Sequence, residues 1–546
     1  MRTPKTDNPA KSQPPLTLII ILAATLILFS PDAASVNTTD PDENPPIIDS
    51  VVIDNQNIFP QDSAKYDYWF FRLANKLHVK SRKSVIRREL LLDKGDFFSR
   101  KLADETERNL RSLIFIWNAA VDLYRTDDSL NVMRVTTFDT WTLRGGLSIK
   151  RSAGETTYRF SIEEQNFLGM GQFISLKYFA RNFDRDYPII SLHERRLFGS
   201  RYYAQAYYND DPEVGLKGII FGRPFYTLDT RFAFRFSSFK EKRRTDYYEN
   251  GSLAARDHIR GYQSNLEAAY RFGTRHDKGQ VKIYVQYRDM RLTSTEILHR
   301  PVNNFPFPVD SLYYMIAPEL TIQNLKFIKT RRINSYSKIE DIALSTAISL
   351  LGGVEIDASS GHRRHRLAGI LWTYSNYINS NLFFVTIMRN SWFRDEIDFR
   401  NQLQISIKYY NNGLSWLTPA IRLIYDSDRR KDGSKQLYLG ENNGLRGYAK
   451  NYSTGDRRLL GNIENRFFTG IQFLSVDFGA VQFFDIGQSW DRNEGLKWDN
   501  FLWSAGLGLR FGIEKVSSTG IMRVDLAYAG RLKEWQWSFG LGHYFE

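Results

Sequence analysis

The stretch MRVDLAY, residues 522–528, sets Met522, Val524, Leu526 and Tyr528 against Arg523, Asp525 and Ala527. Side chains along an extended chain point alternately to opposite faces, so this is a strand with one apolar and one polar side. WQWSFGL, residues 535–541, repeats the pattern, with Trp535, Trp537, Phe539 and Leu541 opposite Gln536, Ser538 and Gly540. Working back along the chain, AGLGLRF (505–511), LQISIKY (403–409) and RFAFRF (231–236) do the same. From Leu143 onward this period of two dominates, with Asn411-Asn412-Gly413 marking a hairpin turn. A soluble β-sandwich alternates as well, burying its apolar face against a second sheet. Two features favour a membrane instead. Aromatic residues gather toward strand ends as girdles, and the opposite faces mix Arg, Asp, Gln and Gly as a wet lumen does.

Composition agrees with that choice. Aromatic residues make up 14% of the 546, yet mean hydropathy is only −0.42. A transmembrane barrel reconciles the two, because only alternate residues face lipid. The formal charge of +13 is interleaved with acids and aromatics, unlike the concentrated basic face of a nucleic-acid protein. With no cysteine in the chain, disulfides, thiolate metal sites and a thiol nucleophile are excluded.

Arg2, Lys5 and Lys11 precede an apolar run from Leu16 to Phe29, and small residues follow at Ala33, Ala34 and Ser35. This order predicts a signal peptide over residues 1–35, with a membrane anchor as the alternative. Residues 36–46 read as a polar linker. No second long apolar run follows, so a mature chain that spans a membrane must do so as a closed barrel.

Residues 47–142 read differently. Ser50–Ile58 predicts a strand, Ser81–Leu92 a helix capped by Ser81, and a second helix begins near Ser99 with Leu102, Thr106, Leu110 and Leu113 on one face. Strands Phe115–Tyr124 and Asn131–Trp141 follow. The segment Asp62–His78, rich in Tyr, Trp and Phe, is expected to be a long loop. The order strand, helix, helix, strand, strand resembles a POTRA domain, and VIRRELLLDKGDFFSRKLADETERNLRSL (85–113) is similar to the helix–turn–helix of that module. Residues 143–546 then hold a transmembrane antiparallel β-barrel, giving a mainly β chain. Sixteen strands of ~10 residues with about 15 per connection fit the length, and fourteen or eighteen fit nearly as well.

Four local texts, in order, resemble the BamA/TamA superfamily of assembly and secretion barrels. They are Asn166-Phe167-Leu168-Gly169-Met170-Gly171, then Gly444-Leu445-Arg446-Gly447-Tyr448, then Gly461-Asn462-Ile463-Glu464, then Phe483-Phe484-Asp485-Ile486-Gly487. The resemblance implies that the loop bearing Leu445, Arg446, Gly447 and Tyr448 folds back into the lumen, with Glu464 and Asp485 as acidic partners of Arg446. A guanidinium suits that role, since its planar fork bridges two carboxylates and stays charged. At the end of the chain, Ser538, Gly540, Tyr544 and Phe545 resemble the C-terminal strand signal of barrel proteins, while His543 and Glu546 depart from it. Poor pairing between this strand and the one near Leu143–Lys150 would let the barrel open there.

His362 and His365, beside Arg363, Arg364 and Arg366, read as a solvated basic turn without a ligand set for a metal. Lys240, Lys242, Arg243 and Arg244 read as an outer loop facing anionic lipid or lipopolysaccharide. No Gly-x-Ser-x-Gly, His-Glu-x-x-His or phosphate loop occurs, so no enzyme activity and no cofactor are expected. The resemblance implies an assembly factor of the outer membrane, its POTRA-like domain in the periplasm, acting on unfolded barrel clients with accessory assembly proteins as further partners and no nucleic acid. A two-partner secretion pore and a passive porin or receptor are the alternatives.

Overall fold

The structure is a computed structural model that describes residues 45–60, 64–152, 155–181, 185–212, 214–249, 252–298, 310–394, 397–430, 436–491, 493–513, 515 and 520–545. The signal peptide expected over residues 1–35, most of the linker expected over 36–46, and Glu546 lie outside the described residues.

The N-terminal domain comprises β1 (Ser50–Gln56), α1 (Trp69–Leu77), α2 (Lys83–Arg87), α3 (Arg100–Arg111), β2 (Ile116–Arg125) and β3 (Asn131–Asp139). Its sheet has the order β1-β3-β2, with β1 parallel and β2 antiparallel to the central β3. Ile53, Ile86, Leu110, Ile116, Val121 and Val135 form its core. Thr106 and Leu110 of α3 are buried, and Ser99 stands at the N-cap position without a side-chain capping bond.

Two expectations for this domain need correction. The helix read over Ser81–Leu92 is confined to α2. After Arg87 the chain unwinds, which lets Leu90 and Leu92 enter the core and lets Thr106 Oγ accept from the Leu91 amide at 3.2 Å. The segment Asp62–His78 is not all loop, because it contains α1. Phe71 of α1 packs with Ile58, Phe59 and Tyr66, and tertiary burial of one face stabilises a helix too short to stand alone.

Among the described residues the remainder is a closed ring of twenty strands, from Leu143–Ser152 to Glu534–Leu541, with successive strands of the ring antiparallel. Sixteen strands were expected. The difference lies in the connections, several of which are far shorter than supposed. Strand Arg363–Ile378 passes to Asn381–Arg394 through Asn379 and Ser380 alone, both at positive φ. The residues saved form additional strands, among them the short Tyr187–Glu194, Tyr203–Asn209 and Leu216–Arg223. No positive φ occurs at Asn411-Asn412-Gly413, which lies in a wider connection ending at Leu417.

Alternation sorts the two faces of the wall. Leu320, Ile348, Leu350 and Ile370 are cross-strand neighbours on the outside, all more than a third exposed. Phe232, Phe234 and Phe236 pair with Tyr270, Ala268 and Leu266 on that same outer face. Gln404, Ser406 and Lys408 pair with Asp426, Ile424 and Arg422 on the inner face.

The ring closes where the two ends of the barrel sequence meet. There the first strand, Leu143–Ser152, lies beside the last, Glu534–Leu541, and hydrogen-bonds to it. Leu147 on the first strand is 84% exposed on the outer face.

The N-terminal domain sits on the rim where the first strand begins. Arg111 of α3 makes a two-pronged ion pair with Asp341, both contacts at 2.7 Å. Lys329 reaches Glu107 at 2.6 Å and Asp104 at 2.9 Å, and Arg196 and Arg275 pair with buried Glu89 and Glu105. The turn Asn166–Gly171 belongs to the same contact: Asn166 Nδ2 donates to Ser81 Oγ at 2.8 Å, and the Arg82 amide donates to Gly169 O at 2.9 Å. Gly169 has φ +71°, and a Cβ there would lie 2.4 Å from the Lys80 carbonyl, so close docking requires glycine.

Candidate functional site

The inner wall concentrates charge beneath a loop that returns into the lumen. This loop runs between Leu417–Arg430 and Arg457–Phe473 and carries two three-residue strands, Leu437–Leu439 and Ser453–Gly455, paired with each other. Leu439, Leu445 and Tyr448 are fully buried with Leu460, Leu502 and Ala529 of the wall, so an apolar footing fixes the loop. Tyr448 adds a polar anchor, its hydroxyl donating to Trp503 O at 2.9 Å and accepting from the Arg531 amide at 3.2 Å. Gly447, at φ +80°, faces Ala527 across a gap that would leave a Cβ only 3.2 Å from that methyl.

Arg446 is completely buried. Its Nε and Nη2 donate to the two carboxylate oxygens of Asp485 at 2.8 and 2.9 Å, and its backbone amide adds a third bond to Asp485 at 3.2 Å. Nη1 turns the other way and donates to Glu464 at 2.8 Å. The guanidinium is sandwiched between the rings of Phe483 and Tyr544, with centroids 3.5 and 4.1 Å from Cζ. This meets what a buried cation requires, namely opposite charge and directional hydrogen bonds.

The constellation is larger than the residues singled out from sequence. Glu464 also accepts from Arg466 at 2.9 Å, and Asp525 accepts from Arg510 at 2.6 Å and Arg523 at 2.7 Å while lying 3.7 Å from Arg446. Asn462 donates to both Asp485 and Gly444 O, and accepts twice from Arg422. Sequence reading placed Arg510, Arg523 and Asp525 on the polar face of their strands without linking them to Arg446. The usable signal is register: Arg510 faces Arg523 across the sheet, and two adjacent cations on an inner wall require an anion such as Asp525.

The residues compared with a C-terminal strand signal divide into two places. Ser538 and Gly540 lie in the last strand on its inner face. Beyond it the chain turns at Gly542, and Tyr544 and Phe545 enter the lumen. Phe545 packs with Ile333, Leu382, Tyr410 and Ala420, its carbonyl accepting from Arg466 at 2.6 Å, while the Tyr544 hydroxyl donates to Glu441 O of the returning loop.

Elsewhere, His362 is exposed but His365 is not the solvated residue expected. It faces inward on Arg363–Ile378, with Nδ1 2.8 Å from Glu355. Lys240, Lys242, Arg243 and Arg244 belong to the long strand Phe232–Glu249 and not to a loop, because its pairing with Ser252–Gly273 continues past them.

Residues 402–545, which hold Arg446, Glu464, Asp485, Asp525 and Tyr544, match the Omp85 superfamily domain. No match was found among curated protein sequences. Similar solved structures include BamA from Haemophilus ducreyi lacking POTRA domains 1–3, at 12% identity and TM-score 0.35, covering 90% of this chain and 83% of that one. CdiB from Acinetobacter baumannii matches at 13% identity and TM-score 0.39, covering 91% and 74%, and CdiB from Escherichia coli at 10% and 0.38, covering 98% of each. The chain carries an Omp85 superfamily domain, residues 402–545, as the closing part of an outer-membrane β-barrel.

Proposed function

We propose that this protein is an outer-membrane assembly factor that inserts or folds β-barrel clients through the junction between its first and last strands. The observation that carries the reading is that the ring closes between its first strand, Leu143–Ser152, and its last, Glu534–Leu541, a strand of only eight residues in which Gly540 offers no side chain to pack. If these two strands part, their freed edges become templates for a third strand, since unpaired backbone groups in hydrocarbon are costly. A client strand added there would satisfy them, and successive hairpins would follow. Energy comes from the client's own folding, and no bond is broken.

On this reading the N-terminal domain is a POTRA-like module in the periplasm that delivers extended client by strand addition. Its β2 edge is occupied in part by α3: Arg111 and Arg100 donate to the carbonyls of Ala119 and Val121, and Glu107 accepts from the Val121 amide. The β1 edge is the better acceptor. The Arg446 assembly holds the returning loop as a fixed wall while the seam changes. A two-partner secretion pore or a passive porin is less well supported, because the loop and the chain terminus enter the lumen and the N-terminal domain docks on its rim.

Depletion of the protein followed by an outer-membrane proteome tests this reading. Broad loss of barrel proteins is expected. Loss of a single secreted protein, or an intact proteome with altered solute uptake, would overturn it.

A further inference from the structure

Helix α1 has more apolar surface than the protein covers. Taking about 100° per residue, its apolar arc runs through Trp69, Leu73, Leu77, Phe70, Ala74 and Phe71. Only the second half of that arc is used. Phe71 is buried and Phe70 and Ala74 pack against it, whereas Trp69 is 70%, Leu73 44% and Leu77 64% exposed. Val79, just beyond the helix, is 51% exposed. The arc beside Trp69 carries Lys76 and then Arg72, both exposed, so cations flank the ridge.

The place of the helix in the fold says what covers this ridge. The cluster that holds α1 includes Leu474 and Trp141. Leu474 is the turn between Arg457–Phe473 and Val476–Trp490, and just before it Ile471 and Phe473 are 64% and 66% exposed. Trp141 lies two residues before the first barrel strand, whose Leu143 is 45% exposed. Between these points Lys515, from the next hairpin, extends its ammonium toward Ile58 O at 3.1 Å. Helix α1 therefore lies at the foot of the wall beside the seam, close to the exposed apolar residues Leu143, Ile471 and Phe473. A short helix whose exposed Trp and Leu ridge is bordered by Lys and Arg matches the composition of segments that lie in a lipid–water interface, with cations reaching anionic head groups.

We infer that α1 is an interfacial helix whose Trp69–Leu73–Leu77 ridge is buried in the phospholipid leaflet on the side of the N-terminal domain. It holds that domain at the seam and requires anionic phospholipid for full engagement. The inference rests on the reading of the outer wall as lipid-facing, and extends it to a part of the N-terminal domain.

The absence of cysteine makes single-site labelling of the full chain direct. L73C, L350C and K94C, each carrying an environment-sensitive fluorophore, would be reconstituted in vesicles of phosphatidylethanolamine and phosphatidylglycerol containing a doxyl-labelled lipid. Leu350 reports the barrel belt and exposed Lys94 the aqueous face of the domain. The expected result is loss of L73C fluorescence to the doxyl lipid comparable with that of L350C, with protection from iodide, while K94C shows the reverse. Replacing phosphatidylglycerol by phosphatidylcholine should reduce the L73C quenching and leave L350C unchanged. If L73C follows K94C, or is shielded from both quenchers as it would be under another protein, the inference is overturned. If L350C itself escapes the lipid quencher, the barrel reading fails and takes this inference with it.

Discussion

The ring of Tyr544 lies 4.1 Å from the guanidinium carbon of Arg446, so the end of the chain and the returning loop hold one another inside the barrel. Arg446 is joined on its other sides to Asp485, Glu464 and Phe483, three residues of two adjacent strands. One side chain thus ties together the loop, the wall and the terminus that follows the last strand.

Arg446→Ala removes the charge that compensates buried Asp485 and Glu464. Breaking a buried pair from one side costs about 3–5 kcal/mol. The folded, faster-migrating band in semi-native electrophoresis should therefore be lost at a lower temperature. Arg446→Lys should fall between, because a single ammonium cannot satisfy both carboxylates in the fork geometry.

Tyr544→Ala removes one face of the guanidinium sandwich, worth roughly 2 kcal/mol in a desolvated setting. Tryptic cleavage after exposed Lys450, on the returning loop, should accelerate. Tyr544→Phe keeps the ring and loses only the bond to Glu441 O, so its cleavage rate should stay near that of the unaltered protein.

Arg111→Ala should loosen the N-terminal domain from the barrel rim. The substitution leaves Asp341 and one oxygen of Glu107 without their guanidinium. Burial raises the Glu107 carboxyl, but bonds from Lys329 and the Val121 amide outweigh it and hold the group below its ordinary range. Hydrogen exchange in residues 333–341 should quicken, while exchange in Ser538–Leu541 remains as before.

Lys515 gives the docking a pH dependence. Burial, aided by Lys65 and opposed by Asp477, brings its ammonium down to about 8 from 10.5. The rings of Phe59, Tyr66 and Trp117 face it. Its folded value lies below the unfolded one, so the unfolded or undocked state binds more protons between those limits. Stability from this group therefore rises with pH from about 8 to 10.5 and is flat below. Comparing the pH dependence of docking with that of Lys515→Gln isolates this contribution, which the variant should lack.

Much of the barrel is legible in sequence because its cause is local. A lipid outside and water inside impose a period of two on each strand, visible in MRVDLAY and WQWSFGL without any tertiary information. Strand number is not local, since it depends on whether a connection takes two residues, as at Asn379-Ser380, or many. The Arg446 cluster became readable only through family resemblance, and its wider membership through register: nothing near Asp525 in sequence announces that Arg510 will face Arg523. Helix α1 is not legible in sequence, because its exposed ridge resembles an aromatic loop until the packing of Phe71 is known.

The most direct test of the central claim locks the seam. In this cysteine-free chain, one cysteine placed among residues 144–148 and one among 536–540 can form a disulfide across the first and last strands. The account predicts a locked protein that is folded, holds its Arg446 loop protected, and fails to assemble a reference barrel client until reductant is added. Full assembly activity in the oxidised, locked form would contradict it.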